Sequence, residues 1–221
     1  MANKRIERRT DALSKERIVE AAIAILDSDG ENALTFRALA ARLATGAGAI
    51  YWHVADKDEL LAAATNDIIA RAMADVTAGA EPREAIRAIA LGLFDAIDLH
   101  PWAGTRLSRE PFEPAMLLVS EGIGGRLLAL GVPERERFNA WSVLVSYIVG
   151  AAGQNAANAR RLPRETDRSA FLGGVAAQWE QLDPARYPFV RKLAAKLRDH
   201  DDREQFLAGI DLILAGIATV R

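Results

Sequence analysis

Apolar residues recur along this chain at intervals of three and four, the spacing that lines one face of a helix. Ile18, Ala21, Ala22, Ile25 and Leu26 form the first stripe, on a helix expected from about Lys15 to Ser28. Ser14 offers its hydroxyl to an orphan N–H at the start, and Gly30 ends the helix. Thr35 caps a second helix, Phe36 to Leu43, with Leu39 and Leu43 inward. Ala44 and Thr45 link it to a third short helix, Gly46 to His53. Asp56 and Glu59 form a D-x-x-E capping box. They open a fourth helix that carries Leu60, Leu61, Ala64, Ile68, Ile69 and Ala72 and fades near Ala78, before Gly79–Pro82 breaks the chain.

Helices are expected beyond that break at 83–99, 102–108, 113–130, 134–160, 167–181, 184–199 and 202–220. Pro101, Pro111, Gly131–Pro133, Pro163 and Pro184 mark the joints. No alternating β-branched pattern and no fixed repeat interrupts the helices. The expected fold is all-α. Residues 1–60 make a three-helix helix-turn-helix domain with a basic arm, and residues 61–221 make a larger helical domain. The boundary falls in or at the end of the fourth helix.

Composition narrows the class. Half of the 221 residues are apolar and 26% are charged, as in a soluble globular protein. No apolar run is long enough to span a bilayer, and MANKRIERRTDALSK is no signal peptide, so a cytoplasmic protein is expected, without a membrane partner. The absence of cysteine excludes disulfides and thiolate metal sites. A net charge of −2 means that any nucleic-acid contact must come from a local patch.

Such a patch is present. Residues 1–17 hold Lys4, Arg5, Arg8, Arg9, Lys15 and Arg17 against Glu7, Asp11 and Glu16. Residues 35–57 hold Arg37, Arg42 and Lys57 against Asp56, whereas residues 18–34 carry four acids and no base. Two short helices joined by a tight turn, with basic residues around an acidic support, fit phosphate binding by a helix-turn-helix. The alternative is a solvated charge pattern on a small domain, and charge alone does not choose.

The string LTFRALAARLATGAGAIYWHVADKDELL, from Leu34, resembles the helix-turn-helix of the tetracycline repressor (TetR) family. Ile50-Tyr51-Trp52-His53-Val54 followed by Asp56-Lys57 carries the similarity, with Thr35, Arg37, Leu39, Ala40 and Leu43 at fitting distances. It extends to Arg17–Gly30 and so covers roughly the first 70 residues. The closing stretch Phe206–Leu214 and the pair Tyr187-Pro188 resemble the tetracycline-repressor branch.

The resemblance implies a role for each matching residue. Thr35 would meet a phosphate and Arg37 a base edge, where arginine can pair with guanine. Tyr51 and His53 would touch the backbone, Trp52 would pack the turn and reach a phosphate, and Lys57 would meet another phosphate beside the fourth helix. The recognition helix departs from the family: it opens Gly46-Ala47-Gly48-Ala49, without a long polar side chain. Ala47 and Gly48 are expected to bring the backbone close to the groove, with alanine methyls against thymine methyls and shape readout beside Arg37.

Two apolar stripes run along the helix from Glu134: Phe138, Trp141, Val145, Ile148 and Ala152, and Ala140, Leu144, Tyr147 and Ala151. The last helix is broadly apolar as well. Burial on more than one side is met by a four-helix bundle between two copies, or by a helix wholly inside a monomer. The dimer implies pseudo-palindromic operator DNA. Phe94, His100, Trp102, Arg106, Met116, Trp141, Tyr147, Gln154, Asn155 and Asn158 mix aromatic surface with polar groups, the chemistry of a small-molecule pocket. The resemblance implies an effector there, without identifying it.

Enzyme, metal and cofactor expectations are negative. There is no phosphate loop, nucleophile elbow or H-E-x-x-H, and His53, His100 and His200 lie on separate elements. Asp27-Ser28-Asp29-Gly30 lacks the remaining ligands of a calcium loop and reads as a helix terminus. Gly122, Gly124 and Gly125 lie within an apolar helical run and suggest close helix packing or a kink rather than phosphate binding. The expected function is a DNA-binding transcriptional regulator, a repressor released by a small molecule. The alternatives are a constitutive architectural DNA binder, and a helical carrier or enzyme with a vestigial DNA module.

Overall fold

The computed structural model describes residues 13–74, 80–109, 114–161, 168–198 and 200–220. Every regular element among them is helical. The order is α1 (Lys15–Asp29), a 3-10 turn (Glu31–Ala33), α2 (Phe36–Arg42), α3 (Ala47–Tyr51), α4 (Lys57–Ala74), α5 (Pro82–Leu99), α6 (Pro101–Arg109), α7 (Pro114–Ala129), α8 (Glu134–Arg161), α9 (Arg168–Glu180), α10 (Pro188–Leu197) and α11 (Asp202–Thr219).

Local chemistry sets the boundaries. Ser14 Oγ accepts from Arg17 N at 3.3 Å, and Thr35 Oγ1 accepts from Ala38 N at 3.1 Å. Gly30 closes α1 with φ of 79°, a conformation costly for any other residue. Asp56 Oδ1 accepts from Glu59 N at 2.8 Å; Glu59 Oε2 reaches back to the N–H of Ala55, one residue before the cap, also at 2.8 Å. Pro82 opens α5 behind a Glu81 cap.

The α2–α3 turn is a Schellman closure, with Thr45 N bonded to Ala40 O and Ala44 N to Ala41 O. Its left-handed residue is Ala44, at φ of 49°, where glycine is usual. The recognition helix is shorter than expected: α3 stops at Tyr51, leaving Trp52 at its C-cap and His53 in the following turn.

One further boundary differs from expectation. The helix placed at 184–199 begins at Pro188. Asp183 Oδ1 accepts from Ala185 N at 2.9 Å and holds a turn, and Tyr187, preceding a proline, is kept out of helical geometry. The ends expected at Ala78 and around Pro111 and Pro163 lie outside the described residues.

Two cores form. Ile18, Ala22, Leu26, Leu34, Leu39, Ile50, Val54, Leu60 and Ala64 fill the first, and Trp102 and Ala103 of α6 join it. Ile86, Ile89, Leu93, Val119, Ile123, Leu144, Ile148, Ile210 and Leu214 fill the second, with Leu107 of α6. Helix α4 serves both: Ile68 faces the first core and Ile69 the second. Helices α4 and α5 cross closely, since a Cβ on Gly92 would stand 2.9 Å from the Ala72 carbonyl oxygen. Gly122 is another close approach, a Cβ there standing 2.7 Å from the Met73 methyl, whereas Gly124 and Gly125 face open space.

Candidate functional site

Helices α2 and α3 present one exposed surface. Phe36 opens α2 and stacks on Tyr51 at the end of α3, with centroids 4.2 Å apart and planes 4° from parallel. That contact holds the short helix against its neighbour and leaves the Tyr51 edge outward. Ile50 and Val54 are buried beneath it. Arg37 lies exposed beside them, with no polar partner among the described residues. Thr35 is exposed but spends an oxygen lone pair on its cap; its hydroxyl proton remains available to a phosphate. Ala47 is half-buried and Gly48 exposed, and a Cβ at Gly46 or Gly48 would meet nothing within 4 Å. His53 is half-buried.

One expected detail is corrected. Trp52 does not pack the turn: at the C-cap of α3 it is 90% exposed, while Tyr51 stacks on Phe36 and Ile50 points into the core. Lys57 is engaged, its Nζ donating to the Glu31 carbonyl at 2.6 Å. A phosphate would have to use one of the remaining ammonium protons. Lys15 Nζ meets Glu59 at 2.8 Å, and the Ala55 amide followed by Lys15 holds the Glu59 carboxyl below the usual carboxylate range. The basic arm residues Lys4, Arg5, Arg8 and Arg9 lie outside the described residues.

The second domain holds a half-open cavity of about 580 Å³. Phe94 of α5, Tyr147, Gln154 and Asn155 of α8, and Phe206 of α11 line it, joined by Phe171, His200 and Asp202. Phe94 and Tyr147 flank Phe206 at centroid distances of 4.6 and 5.5 Å. Tyr147 OH donates to the Phe206 carbonyl at 3.2 Å, and burial pushes its phenol above the ordinary value. His200 Nε2 and Asp202 Oδ1 lie 3.0 Å apart, and Asn155 Nδ2 donates to Asp98 at 2.8 Å.

Five of the ten expected pocket residues therefore converge: Phe94, Tyr147, Gln154, Asn155 and Asn158. The other five lie elsewhere, three of them because the α5–α6 corner turns its polar groups toward the first domain. His100 Nδ1 and Trp102 Nε1 both donate to Asp27 Oδ1, each at 2.8 Å. Arg106 pairs with both oxygens of Asp58 at 2.6 and 3.2 Å. Met116 is core, and Trp141 lies against Phe138 on the far side of α8, its Nε1 buried without an acceptor among the described residues. Sequence reasoning missed Asp27, Asp58, Asp98, Phe171, Asp202 and Phe206. Asp27 entered the sequence reading only as part of a helix terminus, and Phe206 only as the start of the closing helix stretch.

Among the described residues no three acidic or histidine side chains gather as a metal site, and no helix is long and apolar enough to cross a membrane. Residues 18–64 match the family described as bacterial regulatory proteins, tetR family, and residues 79–221 match the tetracyclin repressor-like C-terminal domain. The chain belongs to the TetR family. This TetR-family chain is 32% identical over 179 residues to an HTH-type transcriptional regulator of Saccharopolyspora erythraea, covering 75% of this chain and 76% of that one. It is 27% identical over 217 residues to the class D tetracycline repressor protein of Escherichia coli, covering 92% and 88%. A solved TetR transcriptional regulator of Streptomyces coelicolor shares 52% identity with a TM-score of 0.87, over 95% of this chain and 99% of that one. The exposed α2–α3 surface is thus the DNA-binding head of a TetR-family transcriptional regulator.

Proposed function

We propose that the protein is a homodimeric repressor that grips a pseudo-palindromic operator with one α2–α3 head per protomer and releases it when a small molecule fills the cavity. One observation carries this reading: a single chain joins an exposed reading head to a 580 Å³ cavity walled by aromatic and amide side chains. Arg37 and Thr35 read and position the head, Tyr51, Trp52 and His53 lie against the backbone, and Lys57 adds a cation beside α4. The Gly46–Ala49 stretch lets the helix approach the bases.

Dimerisation accounts for surface that a monomer would leave wet. Leu212 of α11 is 75% exposed and Phe138 of α8 is 72% exposed, with Val143 and Val220 also outward. The opposite faces of both helices fill the second core, so these helices are apolar on two sides. Pairing them across a twofold axis buries the outer face and places the two heads on one side. Filling the cavity releases DNA only if the ligand binds the released arrangement more tightly; each tenfold loss of operator affinity requires about 1.4 kcal/mol of that preference.

Footprinting on DNA flanking the protein's own gene, at near-physiological salt, tests the reading. A protected twofold site is expected, with half-site centres about 34–36 Å apart or a multiple of it. Diffuse protection that vanishes with salt would count against it. For a compound found to release the operator, Ala151→Trp should block release while leaving operator binding in place, because Ala151 lines the cavity far from the head.

A further inference from the structure

The α5–α6 corner is pinned to the reading head at two points. His100 ends α5, and its Nδ1–H donates to Asp27 at the last turn of α1. Trp102 opens α6, donates to the same Asp27 oxygen, and is 9% exposed inside the first core. One turn later Arg106 holds Asp58 at the first turn of α4 with two bonds. Leu107, adjacent to it, is buried in the second core. Helix α6 therefore reaches into both domains, and its polar contacts fall at the end of α1 and the start of α4, on either side of the helix-turn-helix.

We infer that the Asp27 carboxylate, held by His100 and Trp102, is a latch that fixes the angle of the reading head against the dimer body and so makes the protein demand one half-site spacing. The inference rests on the reading of the chain as a dimeric operator binder. Helix α4 alone is a single rod shared by the two cores, and a single rod leaves twist about its own axis undetermined. A second attachment, displaced from that rod, removes the freedom. Asp27 supplies it because one oxygen gathers donors from both sides of the α5–α6 corner, and Asp58 with Arg106 supports it. Asp27 is thus a positioning residue. It sets where the head points and makes no base contact itself.

Operator spacing tests this directly. An operator is selected from random DNA with the full-length protein, and binding is measured to it, to the same operator with one base pair inserted at its centre, and to a single half-site. The insertion moves one half-site by about 3.4 Å and rotates it by roughly 34°. Wild type should lose affinity sharply on the lengthened operator. In Asp27→Ala, and in the double variant His100→Ala with Trp102→Phe, the spacing penalty should shrink by about tenfold to a hundredfold, the worth of charge-assisted hydrogen bonds in an equilibrium. Half-site binding should be unchanged in both. Asp27→Asn keeps an acceptor oxygen and should restore most of the penalty. The Phe ring keeps the Trp102 site filled, so that variant decides the matter if Asp27→Ala fails to fold. A spacing penalty equal to wild type in the folded variants, whatever their affinity, overturns the latch alone. A wild type indifferent to spacing overturns the dimeric reading and the latch together.

Discussion

The Tyr147 phenol stands where a side chain on Gly209 would be. Its hydroxyl crosses from α8 to α11, overlies the Gly209 Cα and donates to the Phe206 carbonyl at 3.2 Å. The glycine therefore makes room for the aromatic ring that closes one end of the cavity. Gly209→Ala must push the phenol aside or part the helices, an overpacking cost of about 1–3 kcal/mol. Urea unfolding of this variant should show a lower midpoint. Tyr147→Phe alone should cost about 1 kcal/mol for the lost hydrogen bond.

The turn before the recognition helix has its alanine and its glycines in the opposite of the stable arrangement. Ala44 occupies a left-handed conformation, while Gly46 at φ of −86° and helical Gly48 adopt ones open to any residue. Ala44→Gly and Gly48→Ala should each stabilise the free protein by up to about 1 kcal/mol, seen as a higher melting temperature. Gly48→Ala should nonetheless weaken operator binding, because its new methyl points into open space where the groove would lie. Gel-shift titration beside the melts checks both signs.

Trp52 should report on DNA. It is 90% exposed, whereas Trp102 is buried. Operator binding should change indole fluorescence in wild type and leave it unchanged in Trp52→Phe. Arg37→Ala should cost about 1–3 kcal/mol of operator affinity and relax the preference at one base position.

The Asp58–Arg106 pair sets an acid limit on the domain contact. Hydrogen bonding from Arg106 holds the Asp58 carboxyl below the ordinary carboxylate value. A depressed folded value means that the pair contributes fully above about pH 4 and is lost as pH falls through the lowered value. Carbon-detected NMR titration should show Asp58 protonating late on acidification, and Arg106→Gln should return it to the ordinary range.

Local chemistry made much of this molecule legible from the chain. Ser14, Thr35 and Asp56 cap helices through atoms three residues away, so their bonds follow from spacing alone. The helix-turn-helix was readable because its signal, from Thr35 to Lys57, is contiguous. Short-range prediction failed where a residue's partner is distant. Asn66 of α4 accepts from Ala115 N at 2.7 Å and so caps α7 from 49 positions away. The resemblance implied that Trp52 packs the turn, but it is Tyr51 that stacks on Phe36, and Trp52, at the C-cap of α3, is 90% exposed.

The sequence by itself determined an all-helical chain, its DNA-reading head and the aromatic and amide character of its cavity, because periodicity, caps and side-chain chemistry are local properties. Tertiary structure alone decided which polar residues face that cavity and which face the head. His100, Trp102 and Arg106 carry the same chemistry in either place. Only the direction of the α5–α6 corner turns them toward Asp27 and Asp58, on helices roughly 50 to 75 positions earlier, and no spacing along the chain encodes that direction.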